Sequence, residues 1–303
     1  MTPTIAVTGS TGAVGGAVAA LLTDSGTPLR LLVRDVGRAP TIPNSDVAQC
    51  SYGDPDASTE ALRGVDVLFM VSGAESATRL DEHRTFVDAA AAAGVRHVVY
   101  TSFFGAAPDA TFTLARDHFH TEQHIAASGM DHTFLRDNFY ADVMEHFAGE
   151  DGVIRGPAGD GRVSLVARAD VARVAAAVLT DPASHVGAYD LTGPEALTMA
   201  EVAAAIAGVR GRAVTFHDET LEEAYASRAQ WNAPEWQNDA WVSTYTAIAS
   251  GELRRVSEDV ERVTGRRAMT LREVTLAESS PHIESAQHRK RSRHSVAATG
   301  IRG

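Results

Sequence analysis

The sequence predicts an α/β fold: a doubly wound parallel sheet with helices on both faces and a smaller α/β lobe appended to it. Three observations predict this. The first 22 residues hold an apolar strand, a glycine-rich turn and an alanine-rich helix. Short apolar runs then alternate with stretches of helical period, the pattern of strands buried on both faces by crossover helices. Two of those helical stretches stop at Gly94 and Gly129, as helices do where the chain turns back to a sheet.

Strand one is Thr4–Val7, and the turn is Thr8-Gly9-Ser10-Thr11-Gly12-Ala13-Val14-Gly15, with the helix running to Leu22. Gly9 permits the tight exit from the strand, Gly12 lets backbone approach a pyrophosphate, and Gly15 lets the helix pack closely on the sheet. The first N–H groups of that helix then face the phosphates. Residues Gly9, Ser10, Thr11, Gly12, Ala13, Val14 and Gly15 are therefore the expected dinucleotide-phosphate site.

Strand two follows at 28–33, strand three at 46–52 before Gly53-Asp54, and strand four at 65–71. A helix over 78–93 leads to strand five at 95–102, and a helix over 112–128 leads to strand six at 132–135. The expected Rossmann strand order is 3-2-1-4-5-6, with the ligand at the carboxyl ends of strands one and four. Beyond residue 140 the pattern loosens. Asp170 is expected to cap a helix continuing through Leu179, and Thr198…Glu201 and Thr270…Glu273 each read as a capping box. A short strand is expected over 212–217. The division is then 1–139 for the nucleotide domain, 140–278 for a substrate lobe and 279–303 for a disordered basic tail.

With 303 residues, 44% of them hydrophobic, the chain can bury a full core. It has no run of about 18 apolar residues, so no membrane span is expected. Strand one begins at once, leaving no room for a signal peptide. The single cysteine, Cys50, excludes a disulfide framework and a thiolate metal site. A cytoplasmic protein is expected. A net charge of −12 argues against nucleic acid as a partner, and the basic stretch 287–294 reads as a solvated tail. No metal site is expected: His118, His120 and His124 lack a supporting ligand set, and His282, His288 and His294 are loosely spaced.

The end of strand two decides the nucleotide. An acidic residue there bonds a ribose 2′-hydroxyl, whereas an arginine pairs a 2′-phosphate. Arg34 stands in that place and Arg38 one turn on, which favours NADP(H) and leaves NAD(H) open. The neighbouring Asp35 either turns outward or receives the ribose. Asp54 is placed either to meet the adenine amine or to serve its own Gly-Asp-Pro turn.

Together the 8–15 loop, Leu32-Val33-Arg34-Asp35, Tyr100-Thr101-Ser102 and Leu135-Arg136-Asp137-Asn138-Phe139-Tyr140 resemble the NmrA-like, atypical short-chain dehydrogenase/reductases. Residues 115–129 and 158–171 are similar to the NAD(P)H:quinone oxidoreductase type 2 subgroup, and the resemblance covers about residues 4–277. Typical members of the superfamily reduce carbonyls with a Tyr-x-x-x-Lys pair. Matching Glu122 to that helix's usual acidic residue puts Leu114 at the tyrosine position and His118 at the lysine position. The only lysine in the chain is Lys290, so the usual acid is absent.

That absence narrows the chemistry. Hydride delivery to a simple ketone builds an alkoxide that needs a positioned acid. Delivery to a quinone builds a phenolate-like anion with a pKa on the order of 10, judged by tyrosine. A small planar, quinone-like substrate fits. The expected cofactor contacts beyond the loop are Val71, Ser72, Gly73, Thr101, Ser102, Phe103 and His118. His118, Asn138 and Tyr140 are the candidate catalytic residues, His118 being equally readable as a packed structural histidine and Tyr140 as a core tyrosine. Trp231, Trp236 and Trp241 either anchor the second lobe or form an aromatic lid. The rival functions are a non-catalytic NADP(H) sensor and a cofactor-borrowing oxygenase-like or isomerising enzyme. A homodimer is open to such a protein.

Overall fold

A computed structural model describes residues 4–24 and 26–279. Its strands are β1 (Ile5–Thr8), β2 (Leu29–Val33), β3 (Ser45–Gln49), β4 (Val67–Met70), β5 (His97–Phe103), β6 (Asp131–Asp137), β7 (Val153–Gly156), β8 (Arg162–Val163), β9 (Gly187–Leu191), β10 (Leu197–Thr198) and β11 (Thr215–Asp218). Its α-helices are α1 (Ala13–Asp24), α2 (Pro55–Ala61), α3 (Arg79–Ala93), α4 (Thr113–Ala127), α5 (Arg168–Thr180), α6 (Met199–Arg210), α7 (Leu221–Arg228), α8 (Glu235–Ser250), α9 (Asp259–Thr264) and α10 (Leu271–Ser279).

A seven-stranded sheet runs in the order β3-β2-β1-β4-β5-β6-β9, with every pairing parallel. The period of two along each strand separates its two cores. Ile5 and Val7 pack with Val18 and Leu22 of α1 and with Val174 and Val178 of α5. Ala6, Leu68 and Met70 face the other way, onto Leu62, Phe86 of α3 and Ile125 of α4. Gly94 caps α3 in the left-handed region at φ +86, as its position predicts.

The second lobe gathers around Ile154, Val163, Val202, Ile206, Tyr245 and Ile248, with β7 paired to β11 and β8 to β10. Both expected capping boxes are present: Thr198 Oγ1 accepts from Glu201 N, and Thr270 Oγ1 accepts from Glu273 N, each at 3.2 Å.

The structure departs from the sequence reading at several points. The sheet extends beyond strand six by β9, which comes from within 140–278. This strand is a half-buried sheet edge without an apolar run, so no periodicity announces it. With α5 and α9 packed beside it, the division at 139/140 follows the chain rather than the packing. Asp170 is not the cap of α5 but its third residue, buried, accepting from Met269 N at 2.7 Å and paired with Arg173. The cap position is Ala167, and Asp142 reaches across to accept from Arg168 N. Helix α2, unforeseen, is opened by Asp54 with Pro55 at its first position. The strand expected over 212–217 is Thr215–Asp218. Among the described residues no helix is long and apolar enough to cross a membrane. The expected tail, from residue 280 onward, lies outside the described residues.

Candidate active site

The carboxyl ends of β1 and β4 meet at the glycine turn. Gly9 leaves β1 at φ +64, and its carbonyl oxygen accepts from Gly12 N at 2.8 Å. A Cβ on Gly15 would lie 2.6 Å from the Thr8 carbonyl oxygen and closer still to that of Gly9, so α1 rests directly on the strand tip. A Cβ on Gly12 would meet only the Gly9 oxygen at 3.3 Å, so the outer side of the loop is open. The first N–H groups of α1 have no intrahelical acceptor. Beside them the buried Ser10 hydroxyl has no protein partner. An amide cradle with an orphaned hydroxyl fits a diphosphate.

Past the end of β2, Arg34 and Arg38 are exposed, and neither guanidinium has a partner among the described residues. Asp35 is occupied by its own turn, where Oδ1 accepts from Gly37 N at 2.9 Å. Neither arginine is paired with Asp35, so both guanidiniums are open to an anion. Asp54 Oδ1 accepts from Ala57 N at 3.0 Å as the cap of α2.

The other wall is the strap Val71-Ser72-Gly73 after β4, whose Val71 side chain abuts Gly9. Val71 N donates to Thr8 Oγ1 at 2.8 Å and Val71 O accepts from the Tyr52 hydroxyl at 2.6 Å. Ser72 N donates to Thr101 Oγ1 at 2.8 Å. Thr101 thus supports the strap from beneath. Ser102 is buried and donates to Glu122 Oε1 at 2.5 Å. Glu122, 1% exposed, also takes Arg136 Nε and Nη2 at 2.9 and 2.7 Å. Phe103 packs with Phe112 and Phe139, ring centroids 4.8 and 5.1 Å away.

None of the three expected catalytic residues offers a free polar atom to the groove. His118 is buried with both nitrogens engaged, Nε2 to Arg79 at 2.9 Å and Nδ1 to the Tyr100 hydroxyl at 2.9 Å. Asn138 spends its amide on the chain: Nδ2 donates to Ser164 Oγ and to Leu253 O, and Oδ1 accepts from Phe139 N. It staples β6 to the second lobe. The Tyr140 hydroxyl donates to Asp137 Oδ2 at 2.8 Å, and burial with the adjacent carboxylate pushes it well above its usual 10, making it a poorer acid. Asp137 is itself pushed up by burial.

Sequence reasoning missed Tyr52, Arg79 and His83, which hold the strap. A signal existed for Arg79: it opens α3, ahead of Asp81 and Glu82, at the helix end where a cation is disfavoured.

A cavity of about 620 Å³ lies in the second lobe, lined by Phe147, Arg228, Trp231, Trp241 and Tyr245 among others. Trp231 and Trp241 meet edge to face at 5.7 Å, and Trp236 is not part of the lining. His146 and Phe147, at the end of the 3₁₀ segment Ala141–Phe147 that follows β6 in the chain, contribute to the cavity's lining. Among the described residues no cluster of histidines, cysteines and carboxylates could hold a metal ion; His124 is engaged with Asp88 at 2.7 Å.

Acid sensitivity follows from His83. Burial, and then the neighbouring Arg79 charge, hold it at about 3 against its usual 6.5. The unfolded chain therefore takes up a proton below 6.5 that the folded protein refuses until about 3. This contribution to stability is complete above 6.5 and lost as pH falls, by up to about 1.4 kcal/mol per pH unit. Urea unfolding at pH 7.5 and 5.0 should show a smaller acid loss for His83→Gln than for wild type. Equal losses would remove this histidine as a cause.

A Rossmann-type sheet with this cradle defines a dinucleotide-binding protein. The chain belongs to the NmrA-like family, whose model matches residues 1–241. It is 35% identical to an NAD(P)H azoreductase of Xenophilus azovorans over 91% of this chain and 98% of that protein. The NADPH-dependent quinone oxidoreductase of Escherichia coli, crystallised with NADPH, superposes at a TM-score of 0.82 with 32% identity, covering 90% of this chain and 99% of that one. The triphenylmethane reductase of Citrobacter sp., crystallised with NADP(H), superposes at 0.80 with 31% identity, covering 90% and 99%.

Proposed function

We propose that the protein is an NADPH-dependent oxidoreductase that delivers hydride to quinones or related conjugated, planar carbonyl compounds, acting in the cytoplasm, with secondary-metabolite tailoring as its setting. One observation carries this reading: a ready dinucleotide cradle stands beside strand ends where His118, Asn138 and Tyr140 have no polar atom free. A bound nicotinamide dinucleotide supplies hydride. A quinone-type acceptor takes it up as an anion no more basic than about pKa 10, so no protein acid is demanded.

The chain's own residues bind and orient. The 9–15 loop holds the diphosphate, Arg34 and Arg38 the 2′-phosphate, and Asp54, through its second carboxylate oxygen, the adenine edge. Val71, Ser72 and Gly73 support the far half, backed by Thr101, Ser102 and Phe103. The aromatic cavity of the second lobe is of a size and lining that suit a planar ligand.

The test is steady-state oxidation of NADPH and NADH with naphthoquinones and azo dyes. Arg34→Ala should raise KM for NADPH about 10- to 100-fold, the worth of one or two charge-assisted hydrogen bonds, and leave NADH nearly unchanged. Equal losses for both cofactors would sink the 2′-phosphate assignment. Failure of every acceptor would sink the reductase.

A further inference from the structure

A buried polar network beneath the strap is not used by the reading above. Arg79 is 4% exposed, and its nearest carboxylate oxygen, on Asp117, is 3.5 Å away. Its Nε donates to Gly73 O at 3.0 Å and its Nη2 lies 2.9 Å from His118 Nε2. A guanidinium neither loses its proton nor accepts a hydrogen bond, so His118 Nε2 is the acceptor. The His118 proton then sits on Nδ1 and points at the Tyr100 hydroxyl.

The same logic fixes His83. Gly73 N donates to its Nε2 at 2.8 Å, leaving Nδ1–H for Thr121 Oγ1 at 3.0 Å, whose hydroxyl donates to Asp117 O at 2.8 Å. Arg79 and His83, four apart on one face of α3, thus grip Gly73 by its C=O and its N–H. With Thr8, Tyr52 and Thr101 they hold a strap that lies beyond the strand yet has Val71 and Gly73 fixed at both polar groups. A cation buried at the wrong end of a helix is costly unless such bonds offset it.

The place of the strap says what it serves. Strand order puts Arg34 on the β2 side of the glycine turn and the strap on the β4 side. A dinucleotide with its 2′-phosphate at Arg34 and its diphosphate on the turn must run onward over Val71–Gly73.

We propose that Arg79 and His83 are positioning residues for the nicotinamide riboside half of the dinucleotide, fixing the strap as the floor on which it rests. The proposal rests on the dinucleotide reading and is separable from it by a fragment. The probe 2′,5′-ADP carries the adenosine end alone, whereas NADPH carries both. In calorimetry, Arg79→Met and His83→Leu should bind 2′,5′-ADP within about 3-fold of wild type, while NADPH affinity and kcat fall about 10-fold or more. His83→Gln keeps an acceptor for Gly73 N and should restore both; Arg79→Lys, with one ammonium for two partners, should restore them in part.

Parallel loss of 2′,5′-ADP and NADPH binding would make the pair merely structural and overturn the proposal. So would NADPH binding unchanged in all variants. Wild-type amide exchange across residues 70–74, measured without cofactor, gives a second arm that needs no variant to fold. Slow exchange supports a preset floor, and exchange at the rate of a free loop overturns it. Wild type that takes up neither ligand removes the dinucleotide reading, and this proposal with it.

Discussion

Gly15→Ala is expected to abolish dinucleotide binding and to lower stability. The new methyl would sit 2.6 Å from the Thr8 carbonyl oxygen, and both groups it meets are backbone of the strand tip and turn. Neither can rotate away, so α1 must lift from the sheet, at an overpacking cost of about 1–3 kcal/mol. The lift also misaims the N–H groups of the cradle, and displacement of about 1 Å suffices to cost 100-fold in binding or rate. Neighbouring glycines supply the controls. Gly16→Ala meets only Ser10 O at 3.1 Å and should be nearly silent, gaining in helix propensity what it loses in crowding. Gly12→Ala meets only Gly9 O at 3.3 Å, so it should fold normally yet bind poorly, because its methyl occupies the phosphate's approach. Calorimetry and thermal unfolding on the three variants separate these outcomes. A Gly15→Ala protein that binds like wild type would refute the close helix–strand contact.

The second large effect is expected at Glu122. Its carboxylate is buried and takes two bonds from Arg136 and one from Ser102. Glu122→Ala strands the buried Ser102 hydroxyl and leaves the Arg136 guanidinium, its side chain 32% exposed, without its carboxylate, at a cost of about 1.5–3 kcal/mol. For a chain of this size that is a fall in Tm of roughly 2–5 °C. The double variant Glu122→Ala, Arg136→Met should recover part of the loss, since it removes the uncompensated charge. A single variant within about 1 kcal/mol of wild type would mean that the pair contributes little. The cradle lies on β1, so its affinity for 2′,5′-ADP should survive in either protein.

The glycine turn, the six-strand order and the stops at Gly94 and Gly129 were legible because they rest on local rules: positive φ, buried apolar runs and helix punctuation. Strand β9 was not, because an edge strand with half-buried residues carries no period. The candidate site divides the same way. Arg34 stands where the β2 rule puts it, and one carboxylate oxygen of Asp35 is engaged by its own turn, a local bond that its sequence neighbours alone do not announce. His118 lies on the expected helix, but its partner Arg79 is 39 residues away, and no spacing rule connects them. Asn138 has the same history, since its partners Ser164 and Leu253 come from the other lobe. Residue identity announces an ability to bond. Only the fold decides with whom.

The path of the chain between the two units has a consequence for how they travel as evolutionary parts. It departs after β6, re-enters as α5 and β9, departs again, and re-enters once more as α9. Several cords therefore join the halves where a single hinge would let one swing. An excised 1–139 fragment would leave β6 as a raw edge and expose the flank of α1 that α5 covers. Such a nucleotide module is not a cassette to be swapped, and new specificities must be remodelled in place on the intact scaffold.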